Sequence, residues 1–177
     1  MDANAPIALI SASYSTVDGA VRDFTSVWAA RHGGGFLHTS VAVLTKDSEG
    51  TLRVRRSNST AKHLEWGGAL LGGALFVLAP PAGISVLAGV GVSGAGAMIS
   101  HFREQACPED LAEAAALLEA GAAGLVVVVL NREGRAMTSL LENAERWSSV
   151  DMVWGALEEE LAQDFARPSS GVVLVAT

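Results

Sequence analysis

The sequence has 177 residues, of which half are hydrophobic and 18% are charged, and its formal net charge is −7. This length fits one domain with an insertion, and the acidic balance argues against nucleic-acid binding, which needs a basic surface. The single cysteine, Cys107, excludes an internal disulfide and a cysteine metal cluster. Residues 1–10 lack the basic and apolar regions of an export signal, so we expect a cytoplasmic location.

The first sixty residues predict a strand, a helix and two further strands. Residues 6–12 form a short apolar run, which is typical of a buried strand. From Thr16, apolar side chains recur at intervals of three and four residues, which predicts an amphipathic helix that ends at Gly33-Gly34. Residues 36–46 and 51–57 alternate on either side of a DSEG turn, which predicts an antiparallel hairpin.

A charge-free, glycine-rich stretch follows, from Gly67 to Ser100. Each glycine inside a helix costs about 1 kcal/mol relative to alanine, so close packing must favour the glycines here. Pro80-Pro81 removes two backbone donors and divides the stretch into two helical arms, residues 67–79 and 82–100. Small residues four apart on these arms would let another backbone approach closely, as in small-xxx-small packing between helices.

The small-residue faces of the two arms are the predicted surface for self-association or membrane contact. The predicted contact residues are Gly68, Gly72, Gly73, Phe76, Pro80, Pro81, Gly89, Gly91, Ser93 and Ala97. The arms are about 20 and 28 Å long, against a bilayer core of about 30 Å, so one hairpin would insert only marginally without self-association. The alternative is a buried helical hairpin in a soluble oligomer, covered by copies of itself.

Basic and aromatic residues flank the stretch on both sides. The predicted membrane-flanking residues are Arg53, Arg55, Arg56, Lys62, Trp66 and Arg103. Basic residues beside an apolar element favour anionic cytoplasmic lipid, whereas on an exposed hairpin edge they would discourage strand addition. His63 and His101 bracket the stretch, either as a pH-sensitive neck at its base or as two solvated histidines.

After the stretch, the pattern returns to a helix and a strand. Pro108 and two following acidic residues begin a helix that Gly121 ends. Residues 123–130 form a continuous apolar run, typical of a strand that is buried on both faces. Residues 136–145 are predicted to be helical and 147–153 to be extended.

The last part of the chain predicts an acidic helix and a terminal strand. The helix covers residues 154–165, with one apolar face formed by Trp154, Leu157, Leu161 and Phe165. The apolar residues 171–176 predict a strand that pairs with a sheet edge, in its own chain or in a partner's.

This order of elements predicts an α+β fold with a ferredoxin-like split βαβ core, an inserted glycine-rich helical hairpin and a helical C-terminal extension. The core covers residues 1–130 and is interrupted by the hairpin at 62–103, and the extension with its terminal apolar strand covers 131–177. Because strands of one sheet lie on both sides of the insertion, both ends of the hairpin must emerge on the same side. A single crossing of a membrane is therefore excluded.

The chain resembles a bacterial family known as domain of unknown function 1269, whose members are frequently labelled as membrane proteins. The resemblance covers roughly residues 6–165 and rests on four blocks: IALISASYSTVDGAVRDF, TKDSEG, GGALLGGALFVLAPPAG and PEDLAEAAALLEAGAAGLVVVVL. It implies a ferredoxin-like core with a glycine-rich hairpin, and it brings no catalytic residues. The GVVLVA tail departs from the family pattern.

No set of residues in the sequence predicts catalysis, a metal site or a cofactor. The four histidines lack metal-ligand spacing, and no serine lies in a nucleophile elbow. We therefore expect a non-enzymatic protein that binds copies of itself and anionic lipid at the cytoplasmic face of the membrane, in an envelope or stress-related role. The alternative is a soluble homo-oligomeric ring or shell in the cytoplasm. An enzyme or small-ligand domain would need a convergent polar set, which the sequence does not predict.

Overall fold

The computed structural model of the chain describes residues 5–31, 36–48, 50–59, 64–79, 95–131, 137–155 and 157–166. The strands in these ranges are β1 Pro6–Tyr14, β2 Phe36–Lys46, β3 Leu52–Ser59, β4 Ala123–Asn131 and β5 Arg146–Val153. The helices are α1 Val17–Ala30, α2 Leu64–Leu78, α3 Ala95–Gln105, α4 Pro108–Ala120 and α5 Leu157–Ala166, with a short 3-10 helix at Met137–Leu140. The predicted mixed α+β class is confirmed.

The five strands form one antiparallel sheet in the order β3-β2-β4-β1-β5. β4 lies between β1 and β2 and is antiparallel to both, so β1 and β2 run in the same direction and α1 connects them. This is a split βαβ unit. Strand β4, from the second half of the chain, thus lies between two strands from the first half.

The narrower prediction of a ferredoxin-like sheet is not confirmed. In that arrangement the first and third strands are the central neighbours, whereas here β2 and β4 are neighbours and β5 extends the sheet beyond β1. The composition of β4 gives a physical reason. All its side chains from Ala123 to Leu130 are buried, which requires cover on both faces of the sheet and favours a central position over an edge.

Helices cover both faces of the sheet. On one face, Phe24 of α1 packs in a cluster with Val127 of β4, and the 3-10 helix belongs to the same cluster. On the other face, Leu75 of α2 and Leu118 of α4 share a cluster with Val128, to which α3 and α5 also contribute. We call these the α1 face and the α2 face.

Local signals in the sequence fix several element ends. The Thr16 hydroxyl accepts a hydrogen bond from the backbone N–H of Gly19 (3.1 Å) and caps α1. Gly50 has φ +80° in the hairpin turn, where other residues would be strained. A Cβ atom at Gly121 would lie 2.6 Å from the Tyr14 carbonyl oxygen, so the close approach after α4 requires glycine. The predicted stop at Gly33-Gly34 lies outside the described residues.

The predicted helix over residues 136–145 is wrong, since only Met137–Leu140 is helical there and it is a 3-10 helix. Tertiary acceptors hold the backbone donors that an α-helix would have used. The N–H of Asn143 donates to the Asp23 carboxylate (3.0 Å), and the N–H of Glu145 donates to the Ser13 carbonyl (2.9 Å). Contacts distant in sequence therefore outweigh the local helix preference.

The predicted helical arms are found only in part. The first arm falls on α2, which begins at Leu64 and ends at Leu78, one residue before the predicted end of the arm. The second arm is helical from Ala95, and α3 continues to Gln105, beyond the predicted end. Residues 80–94, with Pro80-Pro81, lie outside the described residues, so the full hairpin stays a prediction.

The end of the described chain agrees with the prediction of an extended piece followed by an acidic helix. β5 covers the predicted extended piece, and α5 begins at Leu157 rather than at Trp154. Trp154, Leu157 and Leu161 are buried on the α2 face, as expected for the apolar side of this helix. The terminal run 171–176 lies outside the described residues.

Candidate functional site

The glycine-rich helix α2 is enclosed by its own chain. Every residue from Ala69 to Leu75 is buried, including Gly72 and Gly73. The helix packs against α3, α4 and the strands β2, β3 and β4. In this conformation the small residues of the first arm therefore allow close packing within the domain.

Burial also explains why so glycine-rich a sequence is helical. Each fully buried leucine contributes about 1.5–3 kcal/mol, whereas each glycine inside the helix costs about 1 kcal/mol. The leucines of α2 that are almost inaccessible to solvent are Leu70, Leu71, Leu75 and Leu78. Tertiary packing thus outweighs the poor helix preference of α2.

The second helix of the region, α3, has one side that is buried in the domain and another side that is exposed to solvent, which we call its open side. Met98 and Phe102 are fully buried on the α2 face of the sheet. Gly96 and Ser100, four residues apart, are exposed, and the same side of the helix continues into the exposed Arg103. The open side of α3 is thus small and uncharged near its start and charged near its end.

Half-buried apolar residues lie where α2 ends and α3 begins. They are Phe76 and Val77 in the last turns of α2, and Ala97 and Ile99 in the first turns of α3. The two helices pack on each other, and the charge-free residues 80–94 connect them. Ala97 packs against the core of the α2 face, so the part of the open side that lies at the start of α3 consists of Gly96 and Ser100, with half-buried Ile99 beside them.

The predicted assembly residues fall into three groups. Gly72 and Gly73 are buried, whereas Gly68, Phe76 and Ala97 are half-buried. The remaining residues lie outside the described part of the chain, and they are Pro80, Pro81, Gly89, Gly91 and Ser93. Their role in assembly stays a prediction.

Two arginines of the predicted basic flank lie in different surroundings. Arg56 stacks its guanidinium on the ring of Phe24 (4.5 Å), and Phe24 belongs to the α1 face. Arg53 pairs with the Asp47 carboxylate (2.7 Å). Two of the arginines therefore have partners within the chain, and Arg56 lies on the face opposite to α2.

Of the other four predicted flanking residues, the structure describes the side chains of two. Arg55 on β3 and Arg103 on α3 are exposed. Trp66 is in α2, and its side chain is not described, while Lys62 lies outside the described ranges. Of the four flanking residues whose side chains are described, Arg53, Arg55 and Arg56 lie on β3 and Arg103 lies on α3.

His101 is neither solvated nor paired with a second histidine among the described residues. Its side chain is 4% exposed, and its Nε2 atom lies 2.9 Å from the Val153 carbonyl oxygen. Its Nδ1 atom lies 4.0 Å from a carboxylate oxygen of Glu160. His101 therefore links α3 to β5 and α5, and His63 lies outside the described residues.

A buried polar cluster on the α1 face escaped the sequence analysis. Asp23 of α1 is 1% exposed, and its carboxylate accepts hydrogen bonds from the Tyr14 hydroxyl (3.0 Å) and the Asn143 side-chain amide (2.6 Å). Burial, followed by the charge and the hydrogen bond of Asp23, raises the pKa of the Tyr14 hydroxyl above its ordinary value. The signal was an acidic residue on the apolar side of α1, between Ala20 and Val27.

The Asp23 cluster fits a structural role. Two side-chain donors and the Asn143 backbone N–H satisfy the carboxylate, so it offers little to a ligand. It joins α1, the end of β1 and the segment before β5. Within the described ranges, no group of three or more His, Cys, Asp or Glu side chains could hold a metal ion.

Comparison with protein-family models, curated proteins and solved structures gave no match. The resemblance to domain of unknown function 1269 therefore stays a prediction. In the part of the chain that the structure describes, no helix combines the length and the apolar character needed to cross a membrane.

Proposed function

We propose that the protein is non-enzymatic and self-assembling, and that it contacts anionic lipid at the cytoplasmic face of the membrane. In this proposal α2 anchors the glycine-rich region in the domain. The open side of α3 and the charge-free residues 80–94 make the contacts with copies of the chain and with lipid. We also propose membership of domain of unknown function 1269, which rests on the four sequence blocks alone.

The observation that carries the proposal is the uneven surface of α3. Its exposed residues near the start, Gly96 and Ser100, are small and uncharged, and half-buried Ala97 and Ile99 lie beside them. A soluble domain with no partner there would more often expose charged side chains. Small exposed residues four apart on a helix allow the backbone of another helix to approach.

The path of the chain also supports the proposal. α2 ends at Leu78 and α3 begins at Ala95, and the two helices pack on each other. Residues 80–94 therefore connect two helices that pack on each other. A segment held this way can touch a bilayer or another subunit and return without crossing a membrane.

A soluble homo-oligomer, either a ring or a shell, is the second candidate. The enclosure of α2 favours it, because the most hydrophobic arm has its apolar surface covered by its own chain. The position of Arg56 on the α1 face also favours it, because that charge does not lie beside α2. In this candidate the open side of α3 meets only other copies.

The two candidates are tested by lysing cells without detergent and floating the lysate through a density gradient, with and without high salt. Flotation that persists in high salt supports lipid contact. Flotation that salt abolishes would assign the binding to charge alone. A discrete large particle that does not float supports the soluble assembly, and a monomer that does not float would contradict both candidates.

A pair of matched variants assigns the effect to α3. Gly96→Glu/Ser100→Glu places two charges on the open side of α3, and we expect it to abolish assembly and flotation. Ala112→Glu/Ala116→Glu adds the same charges at the same spacing on the exposed side of α4. The α4 variant should behave as wild type, and equal behaviour of the two variants would contradict the role of α3.

A further inference from the structure

The two edge strands of the sheet differ in the apolar side chains that they expose. On the outer strand β3, Arg53, Arg55 and Arg56 are exposed, and charged residues on an edge strand discourage the addition of another strand. On the outer strand β5, Trp147 is 50% exposed and Val153 is 42% exposed, and they are the large hydrophobic residues most open to solvent in the described chain. Strand β5 also exposes the charged residues Arg146 and Asp151, so what distinguishes its edge from the β3 edge is the pair of exposed large hydrophobic side chains.

The backbone of β5 is also open to pairing. The Trp154 N–H donates to the Ala5 carbonyl of the neighbouring chain segment (2.8 Å). Backbone groups alternate in direction along a strand, so Trp147, Ser149, Asp151 and Val153 direct theirs away from β1. The hydrogen bond between His101 and the Val153 carbonyl agrees with this direction. Among the described residues, no backbone hydrogen bond reaches this edge from Trp147 to Asp151.

The chain supplies a segment of matching chemistry. Residues 171–176, GVVLVA, follow α5 and are apolar throughout, a composition typical of a parallel strand. The connection from β5 to this segment is residues 154–170, longer than the about 10–12 residues that a βαβ crossover needs. It contains α5, whose Leu157 and Leu161 lie on the α2 face with Val150 of β5.

We propose that residues 171–176 add a sixth strand to the sheet of their own chain, parallel to β5 on its outer edge. Strand β5, helix α5 and the tail would then form a βαβ unit. The apolar side chains of the tail would cover Trp147 and Val153, and its backbone would pair with Ser149 and Asp151. This inference does not depend on the proposed self-assembly.

Hydrogen exchange of the full chain tests the proposal, with the amides of Ser149 and Asp151 as the readout. We expect these amides to exchange at least about tenfold more slowly than the outward amides of β3, because only the tail protects them. The variant Val172→Pro/Val173→Pro removes two neighbouring donors, one of which must face β5. It should abolish the difference, whereas the control Val172→Ile/Val173→Ile should keep it.

Two results would overturn the proposal. One is that, in the wild-type chain, the amide hydrogens of Ser149 and Asp151 exchange as fast as the outward amide hydrogens of β3. The other is protection that disappears on dilution, which would assign the edge to the tail of a second copy rather than to that of the same chain. Protection that survives dilution and is lost only in the proline variant supports pairing within one chain. Because the wild-type measurement stands alone, the test does not depend on the stability of the proline variant.

Discussion

The helices α2 and α3 come from the same glycine-rich stretch, yet their surfaces differ. The buried residues of α2 include Gly72 and Gly73 and follow one another without interruption from Ala69 to Leu75. α3 buries Met98 and Phe102 but exposes small residues on its open side. Small residues four apart therefore do not by themselves distinguish packing within a chain from assembly between chains, and burial separates the two.

The largest expected difference between the helices comes from truncating an aliphatic side chain in each. Leu75→Ala in α2 should lower the free energy of unfolding by about 2–5 kcal/mol, because it leaves a cavity in a fully buried site. Ile99→Ala in α3 should cost only about 1 kcal/mol, since that side chain is half-buried. Urea unfolding at equal protein concentration measures both, and equal losses would contradict the distinction.

A substitution on the α1 face provides a control, because α2 and α3 pack on the other face of the sheet. Tyr14→Phe removes a hydrogen bond to the buried Asp23 carboxylate and should cost about 1.5–3 kcal/mol at neutral pH. It should leave assembly unchanged, because the cluster lies on the opposite face of the sheet from α2 and α3. Urea unfolding together with light scattering measures the two effects. If Tyr14→Phe abolished assembly without lowering the free energy of unfolding, the position of the cluster away from the assembly surface would be contradicted.

The contribution of Tyr14 to the free energy of unfolding should depend on pH, because the pKa of its hydroxyl is raised in the folded chain. In the unfolded chain the hydroxyl ionises near its ordinary pKa of about 10, while in the folded chain it stays neutral to higher pH. The contribution of Tyr14 is therefore complete below pH 10 and is lost as the pH rises above it. The difference in unfolding free energy between wild type and Tyr14→Phe should narrow in that range, and a constant difference would contradict it.

Enlarging a small residue should have different consequences in the two helices. Gly72→Leu should destabilise the fold by about 1–3 kcal/mol, because the site in α2 is already packed. Ser100→Leu should change the unfolding free energy by no more than about 0.5 kcal/mol and should alter particle size instead. Thermal unfolding and light scattering measure the two effects. If Gly72→Leu changed only particle size, α2 would have to be an assembly surface.

A small effect is also expected where α3 is attached to the sheet. His101→Phe removes the donor to the Val153 carbonyl and should cost about 1 kcal/mol. His101→Gln keeps a side-chain donor, so it should retain part of that stability. The urea midpoints of the two variants measure this, and a Phe variant as stable as wild type would show that the link contributes nothing.

Periodicity and breaker residues predicted most of the elements. The turn at Gly50 and the helix end at Gly121 each had a local signal that the structure confirms. The apolar run 123–130 indicated burial on both faces, and these residues of β4 are indeed buried. These features depend on a few neighbouring residues, so the sequence contains enough information to predict them.

The order of the strands and the polar contacts depend on residues far apart in sequence. β4 lies between β1 and β2, and although its apolar run indicates burial, no local pattern specifies which strands become its neighbours. The Asp23 cluster joins residues more than a hundred positions apart, and it prevents the helix expected around Asn143. His101 likewise meets Val153 through the fold alone.

The central claim is that the open sides of α3 from different copies meet. Disulfide trapping tests it most directly, with Ser100→Cys in a full chain whose single native cysteine is replaced by Cys107→Ser, and with Ala112→Cys in the same background as the control. We expect mild oxidation to give a covalent dimer with Ser100→Cys and almost none with Ala112→Cys. A monomeric product from both, or equal dimer yields from both, would contradict assembly through α3.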